Sequence, residues 1–136
     1  MEACAKRGVP EPVTQRVLDR FTELRLIDDE AFAHAWVESR HRGRGLSRKA
    51  LRFELRRKGV ADETIDAALE SIDADDERGA AVRLARSRVA SLDRYDLPTR
   101  QRRLQGLLAR RGYSSAVAAG VVREVLGERH EEDLGQ

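Results

Sequence analysis

The chain holds a single cysteine, Cys4, among its 136 residues. That excludes an internal disulfide framework and leaves a cysteine-rich zinc site without ligands. Aromatic residues are only 4% of the chain, while hydrophobic residues as a class are 40%. A core drawn from Ala, Leu, Val and Ile suits packed helices better than a β-sandwich. No strand-like alternation of useful length occurs. No apolar run approaches the roughly 20 residues a membrane helix needs. Met1 to Pro12 carry no cationic–apolar secretion signal. Net charge is also nearly absent, because 26 Lys and Arg face 24 Asp and Glu, leaving +2. A simple polybasic tail and an acidic solvating tail are both ruled out. The expectation from these absences is a soluble, cytoplasmic, all-α protein.

What is present is segregated charge. Residues 1–39 sum to −3, and residues 40–58 carry nine basic residues against Glu54. Residues 59–77 hold eight acids and no Lys or Arg, residues 78–111 sum to +8, and residues 112–136 to −3. Two cationic blocks that converge in space make a surface for a polyanionic partner.

An internal repeat underlies the blocks. Arg7-Gly8-Val9, Lys58-Gly59-Val60 and Arg111-Gly112-Tyr113 recur at spacings of 51 and 53. Ten residues after each glycine stands Leu18, Leu69 or Val122, and thirteen after stands Phe21, Ile72 or Val125. Leu51 matches Leu104 and Leu55 matches Leu108. The glycine marks a helix end, with a basic residue before it suited to the negative pole of the helix dipole. Ser47, Asp62 and Ser115 are expected N-caps, with Leu46 and Leu51 as a hydrophobic staple around the first of these. Asp28-Asp29-Glu30 and Asp75-Asp76-Glu77 are expected to open further helices, Ala31 to about Arg40 and Ala80 to Arg88. The pattern predicts an all-α fold of tandem three-helix repeats. Its expected divisions are 1–43 (a first repeat short at its N-terminus), 46–90, 97–128 and a polar tail at 129–136.

No enzyme site emerges. Adjacent acids such as Asp28/Asp29 or Asp75/Asp76 do not converge on one point, and capping already accounts for them. His34, His41 and His130 have no partner at metal-ligand spacing, and Cys4 has no neighbouring His. Gly43-Arg44-Gly45 is too short for a phosphate loop and reads as a flexible link between helices. Trp36 is expected to pack in the core beside Phe32. No metal and no cofactor are expected.

The sharpest feature is the basic stretch from Arg40 to Lys58. On a helix Arg48, Arg52 and Arg56 form one ridge, with Lys49 beside it, while Leu51 and Leu55 point away. Arg40, Arg42 and Arg44 precede it in the expected linker. The third copy has Gln101, Gln105 and Ala109 in place of the ridge, so the repeat fold does not require it. Arginine forks suit phosphate and carboxylate equally, which leaves DNA and an acidic protein surface both open. Arg40, Arg42, Arg44, Arg48, Lys49, Arg52 and Arg56 are the expected contact set, and Arg102, Arg103 and Arg110 a second one.

Leu26-Ile27-Asp28-Asp29-Glu30-Ala31-Phe32-Ala33, with Trp36-Val37 and Arg40, resembles the most recognisable segment of the RecX family. Ser47-Arg48, Leu51, Glu54-Leu55, Lys58-Gly59-Val60 and Ile65 through Ala68-Leu69 resemble the block that follows it. The third repeat, around Arg111-Gly112-Tyr113, is a looser match. The resemblance implies an all-α fold of tandem three-helix repeats in an elongated, curved array, and a regulator of the RecA recombinase that is not an enzyme and needs no cofactor. It implies a protein that binds RecA filaments on single-stranded DNA and limits their growth and activities, with a monomer expected. The alternative is a stand-alone helical module that binds DNA without sequence preference.

Overall fold

The computed structural model describes the backbone of residues 11–135 and the side chains of residues 28–135. The first repeat copy, with Gly8, Leu18 and Phe21, lies outside the described side chains. Among the described residues there are six α-helices and no strand. They are α1 (Glu11–Arg44), α2 (Arg48–Arg57), α3 (Asp62–Leu69), α4 (Ala74–Val89), α5 (Leu97–Arg110) and α6 (Ser115–Leu134). A 3₁₀ turn, Ala90–Leu92, follows α4.

Helix starts are set by side-chain caps. Ser47 caps α2, its Oγ accepting from the Ala50 amide at 3.1 Å. Asp73 opens α4 through a reciprocal capping box with Asp76. Asp96 accepts from the Thr99 amide at 3.0 Å to start α5, with Pro98 in the first turn, where no amide is missed. Two expected caps move back by one residue. Ser114, not Ser115, caps α6, and Ala61 precedes α3 without a side-chain cap. Asp62 and Glu63 serve instead as first-turn anions at the positive pole of α3.

Helix α1 runs unbroken through Asp28-Asp29-Glu30, so the acidic triplet opens no new helix. No Gly or Pro stands between Pro12 and Gly43. Acids in a helix interior cost only tenths of a kcal/mol, ~0.7 at most. Gly43 and Arg44 end this helix rather than link two, and Gly45, at φ +66, terminates it. Arg40, Arg42 and Arg44 therefore sit on the last turns of α1 rather than in a linker.

The buried side chains form two cores. The first joins Ala33 and Val37 of α1 to Leu51 and Leu55 of α2 and Ile65 and Leu69 of α3, with the staple pair Leu46 and Leu51 inside it. The second joins Ala81 and Ala85 of α4 to Leu104 and Leu108 of α5 and Val121 and Val125 of α6. The three-helix groups are thus α1–α3 and α4–α6, one helix earlier than the expected 46–90 and 97–128 units. The offset arises because α4 turns its apolar stripe to α5 and α6, so its partners follow it in sequence. Helix α6 carries the chain on through residues 129–134 without a break. Burying each of the large aliphatic side chains contributes about 1.5–3 kcal/mol. An exposed ion pair contributes about 0–1 kcal/mol, so the cores rather than the charges hold each group together.

A hydrogen-bonded seam joins the groups. The Ser47 amide donates to the Arg111 carbonyl at 2.9 Å. Tyr113 Oη, buried, donates to the Gly45 carbonyl at 2.7 Å. Arg111 Nη1 donates to the Arg44 carbonyl. Gly112, at φ +95, lies against α2 so closely that a Cβ there would be 2.7 Å from Ala50 Cβ. The end of α5 is thereby fixed against the start of α2.

Candidate functional site

Helix α2 carries two adjacent stripes that the sequence alone does not rank. On the first, Arg52 and Arg56 reach across to α3, contacting Asp66 and, at 2.9 Å, Asp62. Arg48 is half-buried beside α4, and its amide donates to Glu77. Arg52 and Arg56 of the expected ridge are therefore matched inside the fold by the acidic block that follows in sequence, whereas Arg48 Nε is buried without a hydrogen-bond partner. Arg42 also has a partner, Glu38, one turn back on α1. The same cancellation holds in the second group. Glu128 of α6 takes Arg86 in a two-pronged bond, Glu124 pairs with Arg78, and Arg129 returns to Asp93. The Arg129 bond holds the Asp93 carboxyl below the usual aspartate value.

The second stripe of α2, turned by one residue, is Lys49, Phe53 and Arg57. It faces a groove of about 720 Å³ whose other lining residues include Trp36 and Arg40 of α1, Lys58, and Arg110 of α5. The one acid in its wall is Glu54, and that carboxylate accepts the Trp36 indole N–H at 2.9 Å. A second groove, about 480 Å³, adjoins it through Arg110 and is lined also by Arg88, Arg102 and Arg103, with no acid. A third, about 610 Å³, adjoins it through Trp36 and Arg40 and reaches Phe32 and Arg44. The three form one cationic track from the end of α1, across α2, to α5.

The structure thus brings together Arg40, Arg44 and Lys49 from the first expected set with Arg102, Arg103 and Arg110 from the second. It does not bring Arg42, Arg48, Arg52 or Arg56 to that track. Arg111, beneath the junction, is held below the ordinary arginine value by burial and then by repulsion from Arg88, Arg44 and Arg110. Cations from three separate helices thus lie close enough to Arg111 to repel its charge.

Trp36 is partly buried and packs against the edge of the first core, whereas Phe32 is exposed. Ala33 and Val37 take the buried face of α1, and Phe32 and Trp36 lie one residue, about 100°, to the side. Trp36 is half-buried at the groove wall, with the Arg40 guanidinium 4.4 Å from its ring and Lys58 Nζ 5.2 Å away. Phe32 is 41% exposed and rests on it at 5.5 Å. Residues missed by the sequence reading are Phe53, 61% exposed, with Arg57, Lys58 and Arg88. The available signal was an aromatic side chain at i+4 between Lys49 and Arg57 on an otherwise polar face. Among the described residues no group of His, Cys, Asp and Glu is placed to hold a metal ion.

Comparison with known proteins matches these features group by group. The family model described as the RecX second three-helix domain matches residues 28–69, and that of the RecX third three-helix domain matches residues 75–122. Those spans follow the two cores seen here. The chain is 46% identical over 125 residues to the regulatory protein RecX of Thermobifida fusca, covering 92% of this chain and 68% of that one. It is 48% identical over 131 residues to its counterpart in Streptomyces coelicolor, covering 96% and 70%. Among solved structures, RecX from Lactobacillus salivarius superposes with a TM-score of 0.69 at 18% identity, covering 91% of this chain and 80% of that one. A second regulatory protein RecX gives 0.64 at 25% identity, covering 85% and 57%. Two adjoining three-helix cores, both matched by the family's own domain models, and relatives at nearly half identity over 68% and 70% of their length place this chain in the RecX family.

Proposed function

We propose that this chain is a non-catalytic regulator of the RecA recombinase. It binds the RecA–single-stranded DNA filament and limits the filament's growth and activities. The relatives carry the name of a regulatory protein. The observation that carries the reading is the cationic track, which spans both three-helix groups, while Arg52, Arg56, Arg78 and Arg86 off the track are paired with acids. A partner that offers protein and phosphate together fits such a face. Arg40, Arg44 and Lys49 are the proposed primary contacts, with Arg102, Arg103 and Arg110 continuing them. Arg52 and Arg56 are assigned to holding α3 on α2. The protein acts as a cytoplasmic monomer in this reading. No helix among the described residues is long and apolar enough to cross a membrane.

The test adds this protein, far below the RecA concentration, to preformed filaments and follows ATP hydrolysis. Inhibition at that ratio is expected. An unchanged rate at every substoichiometric amount refutes the reading. The alternative, a stand-alone DNA-binding module, predicts inhibition only once the DNA is coated, with affinity that falls steeply with salt.

A further inference from the structure

Residues 28–135 hold nineteen arginines and only two lysines, Lys49 and Lys58. Both lysines are exposed, and both line the same groove along α2. The second three-helix group and the acidic block have none. The groove wall carries five cations, Arg40, Lys49, Arg57, Lys58 and Arg110, against one acid, Glu54. That acid is engaged by the Trp36 indole N–H at 2.9 Å. Neither lysine forms an ion pair with an acid among the described residues.

The two kinds of cation differ in chemistry. A guanidinium keeps its charge at every physiological pH. A lysine amine becomes a neutral amide when acylated, and loses both its charge and its attraction for an aromatic face. Acylating both lysines would leave three cations against one acid in this wall. The remaining described cations are arginines, so this groove is where acylation can change the charge of the described surface. Helix α2 tolerates the change. Lys49 stands in its first turn, where a cation opposes the helix dipole, and Lys58 is its C-cap, where a cation is favoured. Neutralising the two therefore acts on helix stability with opposite signs. The groove loses charge while the fold keeps its balance.

We propose that Lys49 and Lys58 are acylation sites and that their acylation weakens partner binding by this face. The unprotonated amine attacks the carbonyl carbon of an acyl phosphate. The C–N bond forms as the C–O bond to phosphate breaks, phosphate leaves with the electron pair, and the proton given up by the amine passes to water. Nothing is oxidised or reduced. The groove's arginines draw the anionic donor toward the two amines. The proposal rests on the regulator reading, because inhibition of RecA is its functional readout.

The test uses the full chain carrying Lys6→Arg, so that Lys49 and Lys58 are the lysines left. It is incubated with acetyl phosphate, desalted, mapped by peptide mass spectrometry and added to RecA filaments while ATP hydrolysis is followed. Acetylation at both positions is expected. Half-inhibition should then need about 2- to 30-fold more protein, the range for losing two exposed charge contacts. Lys49→Gln with Lys58→Gln should reproduce that loss without the donor. Lys49→Arg with Lys58→Arg, compared with its own untreated sample, should not respond to the donor. Circular dichroism should show unchanged helicity and a midpoint within about 3 °C in the acetylated chain. Trp36, the single tryptophan, reports on Lys58, whose Nζ stands 5.2 Å from its ring. Lys58→Gln should shift its emission.

An absence of acetyl groups at both positions overturns the proposal. So does equal inhibition by the treated and untreated chain, or an equal loss in the treated arginine variant, which would place the effect at another group. Unchanged Trp36 emission in Lys58→Gln overturns the placement of that amine at the groove wall, and the proposal with it. An untreated chain that inhibits nothing refutes the regulator reading and this proposal together, whereas equal inhibition before and after acetylation refutes this proposal alone.

Discussion

Replacing Gly112 by alanine is expected to lower the thermal midpoint about three times as far as the same change at Gly59. Both glycines sit in the left-handed region, at φ +95 and +83. A Cβ in that conformation costs about 1–2 kcal/mol at either position. At Gly59 a Cβ meets nothing within 4 Å, so the backbone term is the whole effect. At Gly112 it meets Ser47 Oγ, Ala50 Cβ at 2.7 Å and the Ala50 amide nitrogen at 3.1 Å. Two of these cannot yield cheaply. Ala50 is fixed in the first turn of α2, and Ser47 is a buried N-cap whose Oγ already accepts from the Ala50 amide. Overpacking adds about 1–3 kcal/mol, and a displaced cap adds about 1 kcal/mol. The sum at Gly112 is about 3–6 kcal/mol, a large share of the total stability of a single domain. At about 3 °C per kcal/mol for a chain of this length, that is about 9–18 °C, against about 3–6 °C at Gly59. Changes in the unfolded chain are shared by both variants and drop out of the difference. Parallel melts by circular dichroism measure both. Amide exchange at Ser47, whose N–H is bonded to Arg111, should quicken only in Gly112→Ala. Equal falls in the two midpoints would refute the close approach of α5 to α2.

Tyr113→Phe leaves the buried Gly45 carbonyl without its donor and should cost about 1–3 kcal/mol by urea melting. Burial pushes the Tyr113 hydroxyl up to about 12 from its ordinary value of 10.0. The unfolded chain therefore loses that proton first, and stability present below pH 10 should fall as pH rises from 10 toward 12. Tyr113→Phe should flatten that alkaline slope in midpoint measured against pH. The opposite sign applies to Asp93, whose bond to Arg129 holds its carboxyl below 3.8. The stabilisation is present above the unfolded value and lost as pH falls through the depressed one, so Asp93→Asn should flatten the acid limb of the same profile. Arg52→Ala and Arg56→Ala should each cost under about 1 kcal/mol, because both ion pairs are partly open to water. A larger loss in a urea melt would mean that these pairs hold α3 more strongly than exposed ion pairs do.

Much of the fold was legible along the chain. The apolar spacing at Leu51, Leu55, Leu104 and Leu108 marked buried faces, and all four are buried to the last few per cent. Gly59 and Gly112 marked turns, and both adopt the left-handed conformation that ends a helix. The RecX resemblance at Leu26 to Arg40 and Ser47 to Leu69 pointed to the family that the domain models match. The break expected at Asp28 failed because acids are weak helix breakers when no Gly or Pro accompanies them.

The candidate site was only half legible, for a physical reason. Local sequence determines which residues form a helix and which face is apolar, because those depend on neighbours three and four residues away. It does not determine which of two adjacent cationic stripes is spent on an ion pair, because the anion comes from another helix. Arg52 and Lys49 are equivalent along α2 until α3 brings Asp66 to one and α5 brings Arg110 to the other. The scarcity of aromatics was evident from composition, but its meaning was not. Packing of Ala33 and Val37 into the core is what leaves Trp36 at the groove wall. The sequence by itself determined an all-helical chain with alternating charge blocks. Only the tertiary structure decided which of these charges are paired between helices, as Arg52, Arg56, Arg78 and Arg86 are, and which line one aromatic-walled track.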